Sequence, residues 1–363
     1  MIFLYYLPMS ILLQINGLEM AYGTQTILNG ASLSISDRQK VAVVGRNGAG
    51  KSTLFRLIVG EEQPTGGEIR IHNETQIGYL TQHNPFKNGE KVMDFMMRYS
   101  GKEIWDCAKV AARFQIRQDL FEREVASLAG GYQMRVKLSA MLAKEPNLLL
   151  LDEPTNFLDL STLLLLEQFL KKYKGSFMLI SHDREFIKKT CEQTLEIEQG
   201  RTILFPKPLE EYLAYKEEKT LSAEKFNKKV LTEKQHLQSF VDRFGAKATK
   251  AAQAKSKMKQ IERLKTVEIV NPLDISKIRI PKVEQKKGIA LTAEDLSIGY
   301  GEKIVAGKIN FDINRGERIA VVGDNGQGKT TLLNTIAGEL QAINGKFKWG
   351  SNILISYYAQ HTP

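Results

Sequence analysis

The stretch Lys40–Gly60, KVAVVGRNGAGKSTLFRLIVG, and its near copy Arg318–Gly338, RIAVVGDNGQGKTTLLNTIAG, decide how this chain is read. In each, a short apolar strand runs into GxxxxGK[ST] and then into an apolar-periodic helix. That order describes a loop whose glycines let backbone N–H groups wrap a chain of phosphates. In the first copy the loop is Gly45, Asn47, Gly48, Gly50, Lys51, Ser52 and Thr53; in the second it is Gly323, Asn325, Gly326, Gly328, Lys329, Thr330 and Thr331. Lys51 and Lys329 would reach the outer phosphates, and the Ser52 and Thr330 hydroxyls would meet Mg2+. A glycine turn with an incidental lysine is the bland alternative, and the recurrence of the whole string argues against it.

The two stretches belong to a repeat with a constant offset of 278 residues. Tyr22-Gly23 recurs as Tyr300-Gly301, Gly60 as Gly338, and Gln82-His83 as Gln360-His361, which makes this a duplicated domain. Pro363 matches Pro85, so residues 86–205 of the first copy have no counterpart in the second. The first copy alternates strands and helices: strands at Lys40–Val44, Leu148–Leu151 and Phe177–Ile180, helices at Lys51–Val59, Ser127–Ala143 and Ser161–Tyr173. Such alternation predicts an α/β fold with a mainly parallel sheet. Between the copies, Val230, Leu237, Val241 and Phe244 repeat at helical spacing, Gly245 interrupts, and Ala251, Ala254, Met258 and Ile261 form a second stripe. These predict a helical hairpin. The expected domains are an N-terminal extension at 1–8, a first domain at 9–208, a basic helical linker at 209–288 and a partial second domain at 289–363.

Composition narrows the function. Lys+Arg 51 against Asp+Glu 41 gives a net charge of +10, and the whole excess lies between Lys216 and Ile289, with 19 basic and 9 acidic residues. From Arg243 to Lys265 there are eight basic residues and one acid, interleaved with alanine, which suits phosphate contacts on RNA or DNA; a solvated charged face is the alternative. Cys107 and Cys191 lack metal-ligand spacing and fit a reducing, cytoplasmic setting. The apolar start MIFLYYLP falls short of the roughly 18 to 20 residues of a bilayer helix and has no basic n-region, so no membrane role is expected and Met9 reads as the natural start.

Further polar residues gather around the first loop. LLLLDE (Leu148–Glu153) places Asp152 and Glu153 at a strand end, where Asp152 would hold Mg2+ and Glu153 would polarise an attacking water; two solvated acids are the alternative. His182 follows another apolar strand and would reach a γ-phosphate. Gln82 and Gln360 each lie 31 residues after the loop lysine, as further Mg2+ or nucleotide contacts. Tyr22 and Tyr300, each 29 residues before it, would stack on adenine or simply pack.

With these residues in place, the chain resembles the ATP-binding cassette family and, more closely, its ABC-F branch of tandem-cassette proteins without membrane domains. The resemblance rests on SLAGGYQMRVKLS (Ser127–Ser139), DEPTNFLD (Asp152–Asp159), SHDREF (Ser181–Phe186) and the linker FVDRFGAKATKAAQAKSKMKQIERL (Phe240–Leu264). It implies a P-loop cassette with a helical signature subdomain, and ATP sandwiched between one cassette's phosphate loop and the other's signature, here Ala129, Gly130, Gly131 and Gln133. It also implies a partner in the ribosome, through tRNA or rRNA. A DNA-processing ATPase and, further off, a transporter subunit are the competing readings. Three departures stand out: Ala129 where the family has serine, Phe157 where the branch has histidine, and a second copy with no signature, acidic pair or switch histidine. No complete sandwich site is therefore expected in cis, and turnover would need two chains pairing their first cassettes as a homodimer.

Overall fold

β1 (Ile11–Tyr22) and β2 (Gln25–Ser36) form a hairpin whose inward residues Leu13, Ile15, Leu18, Leu28 and Ile35 are fully buried. β3 (Lys40–Val44) leads through the glycine loop to α1 (Lys51–Ile58), followed by β4 (Gly66–Ile71) and β5 (Ile77–Leu80). Then come α2 (Val92–Ser100), α3 (Ile104–Arg113), α4 (Gly130–Ala143), β6 (Leu148–Asp152), α5 (Leu160–Lys172), β7 (Ser176–Ile180), α6 (Arg184–Thr190), β8 (Gln193–Glu198) and β9 (Arg201–Phe205). The computed structural model describes residues 10–81, 84–156, 158–244, 251–267 and 287–359. Residues 1–206 with 282–363 make one unit and 207–281 another.

The expected parallel sheet is present, in the order β5-β6-β7-β3-β8-β9, with only the β8–β9 pair antiparallel. β6 and β7 are buried at every residue, as strands covered on both faces must be. A second sheet, antiparallel in the order β2-β1-β4, goes beyond the sequence reading. The apolar residues of α1, namely Leu54, Phe55, Leu57 and Ile58, share one core with both sheets. The helix expected from Ser127 begins three residues later at Gly130, because Val125–Ser127 is a 3-10 turn and Leu128 is extended.

The second copy repeats this plan with β10 (Ile289–Tyr300), β11 (Lys303–Asn314), α9 (Lys329–Ala337) and β12 (Asn344–Trp349), its sheet ordered β11-β10-β12. Left-handed backbone positions survive even where the glycine does not: Gly17 and Asp295 have φ of 56° and 46°, Gly30 and Lys308 76° and 54°. The counterpart of β3 is different. Residues 319–322 form no strand, because β3 is held between β7 and β8 and neither has a counterpart within these 363 residues. Ile319, Val321 and Leu333 are accordingly exposed and Leu332 and Ile336 only half-buried.

The linker unit is the expected hairpin of α7 (Leu209–Phe244) and α8 (Ala251–Arg263). Val230 and Leu237 are buried and Val241 half-buried, but Met258, expected in the second stripe, is 55% exposed: a two-helix hairpin covers only one face of each helix. Asn227 donates through Nδ2 to the Val267 carbonyl and accepts from the Val267 amide, both at 2.8 Å, fastening the chain beyond α8 alongside α7. The expected extension at 1–8, Gln82, Gln360, Phe157 and Gly245 lie outside the described residues, as do the side chains of Phe244, Ala251 and Ala254.

Candidate nucleotide site

The loop from Gly45 to Gly50 takes its shape from its glycines, of which Gly45 and Gly50 leave no room for a side chain. At Gly45 φ is 155° and a Cβ would lie 2.5 Å from the Ile197 carbonyl oxygen of β8; at Gly50 φ is 96° and a Cβ would meet Ile27 at 2.6 Å. The second loop matches, with φ of 153° at Gly323, 83° at Gly326 and 91° at Gly328, against 78° at Gly48. Gly328 even abuts Val305, the counterpart of Ile27. Gly45→Ala should therefore cost about 2 to 4 kcal/mol, against about 1 kcal/mol for Gly48→Ala, whose Cβ would meet nothing within 4 Å. Urea titration of the two variants checks this, and equal losses would contradict the close approach.

Lys51 folds over its loop, Nζ donating to the carbonyls of Gly45 and Arg46 at 3.0 Å each. Lys329 does the same to Gly323 and Asp324 at 2.8 Å each. Burial pulls the Lys51 ammonium below its usual pKa, opposed by the charges of Glu153 and Asp152. The lysine, both carboxylates and the first turn of α1 are thus brought together, as the sequence reading expected.

Asp152 ends β6 and is 5% exposed; Glu153 follows it at 6%. Burial raises both carboxyls. For Asp152 the opposing influences are a hydrogen bond from Ser52 and the charges of Arg56 and Lys51; for Glu153 the principal one is His182. Glu153 has φ of 49°, a left-handed conformation costing on the order of 1 kcal/mol in a non-glycine residue, and its amide is anchored to the Ile180 carbonyl at 2.9 Å. This turn aims the carboxylate at His182, whose amide donates to Oε2 at 3.3 Å and whose Nε2 lies 3.4 Å from Oε1. Asp152 Oδ1 and Glu153 Oε1 are buried without a hydrogen-bond partner among the described residues. Asp152 Oδ1, on the carboxylate to which Ser52 bonds, makes with the Ser52 hydroxyl a donor pair that a hard divalent cation completes with phosphate and water. No group of three or more His, Cys, Asp or Glu residues among those described could hold a metal ion.

The raised carboxyl gives a signed prediction. A group whose pKa is higher folded than unfolded is destabilising when ionised, and the cost disappears as pH falls until both states are protonated. Glu153→Gln should raise Tm at pH 8, with a smaller gain at pH 5; a gain that grew on acidification would reverse the assignment.

Tyr22 is exposed, with its hydroxyl bound to Glu62. Glu62 in turn pairs with Arg56 at 2.6 Å, and Arg56 reaches Thr53 at 3.3 Å. Sequence reasoning missed Arg56 and Glu62, and the repeat offered no signal, since Asn334 and Leu340 replace them. In the second copy Thr331 donates to the Tyr300 hydroxyl at 3.4 Å instead. Ala129, Gly130 and Gly131 are not gathered at the loop; they open α4, which packs on α2, α3 and α5. Ala129 caps nothing with its side chain. Gln133, expected at the nucleotide, turns back instead: its Nε2 donates to the carbonyls of Leu128 at 2.9 Å and Ala126 at 3.3 Å, holding the turn that precedes α4.

Residues 28–156 and 306–361 match the family described as ABC transporter, and residues 195–280 match a second family with the same description. The chain belongs to the ATP-binding cassette family, in its ABC-F branch. It is 31% identical to the probable ATP-binding protein YheS of Escherichia coli (strain K12), over 95% of this chain and 60% of that protein. It is 30% identical to the ATP-binding protein Uup of Buchnera aphidicola subsp. Schizaphis graminum, over 96% of this chain and 60% of that protein. The chain thus spans about 60% of the length of these relatives. A nucleotide-free ATP-binding cassette from an ABC transporter superposes with a TM-score of 0.50 at 18% identity, covering 56% of this chain and 94% of that one, a likeness of cassette fold. No helix among the described residues is long and apolar enough to cross a membrane.

Proposed function

We propose that this ABC-F chain is an ATPase that couples MgATP binding and hydrolysis to an action on the ribosome. Its parts would be a first cassette at 9–208, an RNA-contacting linker at 209–288 and a partial second cassette at 289–363. The observation that carries the nucleotide reading is the convergence of Lys51, Ser52, Asp152, Glu153 and His182 on one loop. Lys51 exchanges its two loop carbonyls for the outer phosphates, Tyr22 meets the adenine and Glu153 orients the attacking water and accepts its proton. Gln82 completes the set. Ser52 and Asp152 would hold Mg2+, which would supply neutralisation of charge on the phosphates. Thr330, Lys329, Tyr300 and Gln360 take the same places in the second cassette, and Gly130 and Gly131 offer their amides to the nucleotide of a facing cassette.

The partner reading rests on the basic hairpin. Lys255, Lys257, Lys259 and Arg263 lie on α8, with Lys247 and Lys250 just before it, and phosphate contacts of this kind weaken steeply with salt. Replacing Lys247, Lys250, Lys255, Lys257 and Lys259 by Gln should weaken ribosome binding about tenfold or more at low salt and flatten its salt dependence, with ATP affinity unchanged. Cosedimentation at two salt concentrations checks this. Undiminished binding at both would leave the lysines as a solvated face, and stronger retention on duplex DNA than on ribosomes would favour the DNA reading.

A further inference from the structure

The second turn of α4 and the first turn of α5 are joined by one buried side chain. Arg135, 5% exposed, donates from Nε to Thr162 Oγ1 and from Nη2 to Ser161 Oγ, both at 2.9 Å. Those hydroxyls sit in the first turn of α5, whose N-cap is Asp159: its Oδ1 accepts the Thr162 amide at 2.7 Å and the Ser161 hydroxyl at 2.9 Å. Burial opposes ionisation of Asp159, but the hydrogen bonds from Thr162 and Ser161 and the charge of Arg135 outweigh it and hold the carboxyl below its usual range. From the other side Gly131 presses on the same carboxylate, for a Cβ there would lie 2.5 Å from Asp159 Oδ2. The guanidinium also stacks over the Tyr132 ring at 5.0 Å, so its plane is fixed.

We propose that Arg135 is a positioning residue that locks the Gly130–Gly131 amides to the Asp152–Asp159 segment, so that both meet a facing nucleotide as one rigid element. The inference rests on the reading that the start of α4 faces a nucleotide held by another cassette. The fork matters because two hydroxyls on successive residues each take one N–H of a planar guanidinium at fixed spacing, whereas an ammonium could donate to both but as a flexible point charge would not fix their register. Without the lock, α4 and α5 would still fold, and nucleotide would still bind at Lys51, but the amides and the carboxylate segment would no longer hold a common register.

The test uses the full chain. Arg135→Ala and the double variant Ser161→Ala/Thr162→Val should each speed amide exchange tenfold or more in peptides covering 129–141 and 158–166, where the Gln133 amide is bonded to the Ala129 carbonyl and the Leu163 amide to that of Asp159. Both should leave the Kd for a fluorescent nonhydrolysable ATP analogue within twofold of the parent and lower kcat tenfold or more. Arg135→Lys should behave like Arg135→Ala. Unchanged kcat in the variants, or restoration of kcat and exchange protection by Arg135→Lys, would overturn the proposal. Should Arg135→Ala fail to fold, the double variant decides, since it keeps the guanidinium and removes its two acceptors together with the Ser161–Asp159 bond, while the Thr162 amide still caps on Asp159. A parent chain that hydrolyses no ATP even at concentrations where two chains pair would defeat the ATPase reading separately, and the exchange comparison between the two variants would then decide the lock alone.

Discussion

Lys51→Ala is expected to weaken binding of a nonhydrolysable ATP analogue roughly ten- to a hundredfold, about 1.5 to 3 kcal/mol. The ammonium is already desolvated and held over the loop by two carbonyls 3.0 Å away, so little reorganisation is needed to turn it to phosphate. Loss of the side chain also removes one of the charges that oppose the burial of the Asp152 and Glu153 carboxylates. The loop itself should persist, because its shape comes from glycine conformations. Titration with a fluorescent analogue measures the effect, and an affinity unchanged from the parent would remove Lys51 from the site.

Glu153→Gln is the second large effect. Binding of ATP should be preserved while hydrolysis slows by about a hundredfold or more, the scale on which a positioned general base contributes. The amide keeps the size and the hydrogen bond from the His182 amide but cannot take the water's proton. The left-handed turn at Glu153 supports this role, since backbone strain there holds the carboxylate where packing alone would not put it. A parallel fall in ATP affinity and turnover would instead make Glu153 structural or a metal residue.

What could be read from the sequence, and what could not, divides along physical lines. The two phosphate loops were legible because their conformation is local: glycine positions and the following helix suffice. The second loop shows this directly, keeping its φ values and its lysine–carbonyl bonds although the strand before it is unpaired. The fully apolar runs of β6 and β7 were legible for a similar reason. The sheet of β2, β1 and β4 was not, because alternation at Ile11–Leu18 announces a strand but not its partner. Arg56, Glu62, Arg135 and Ser161 escaped notice because their roles lie in side-chain pairing across distant segments. The bonds of Gln133 to the Leu128 and Ala126 carbonyls were hidden too, because its position beside the glycine pair says nothing of the extended residue and 3-10 turn before α4.

Under the proposed function, nucleotide at the first cassette controls attachment to the ribosome through the basic hairpin. Cosedimentation of the Glu153→Gln chain with purified ribosomes, with and without MgATP and at matched low and high salt, tests it most directly. Retention that requires MgATP and falls steeply with salt is the predicted result. Equal retention with and without nucleotide, or none under either condition while duplex DNA is bound at the same salt, would contradict it.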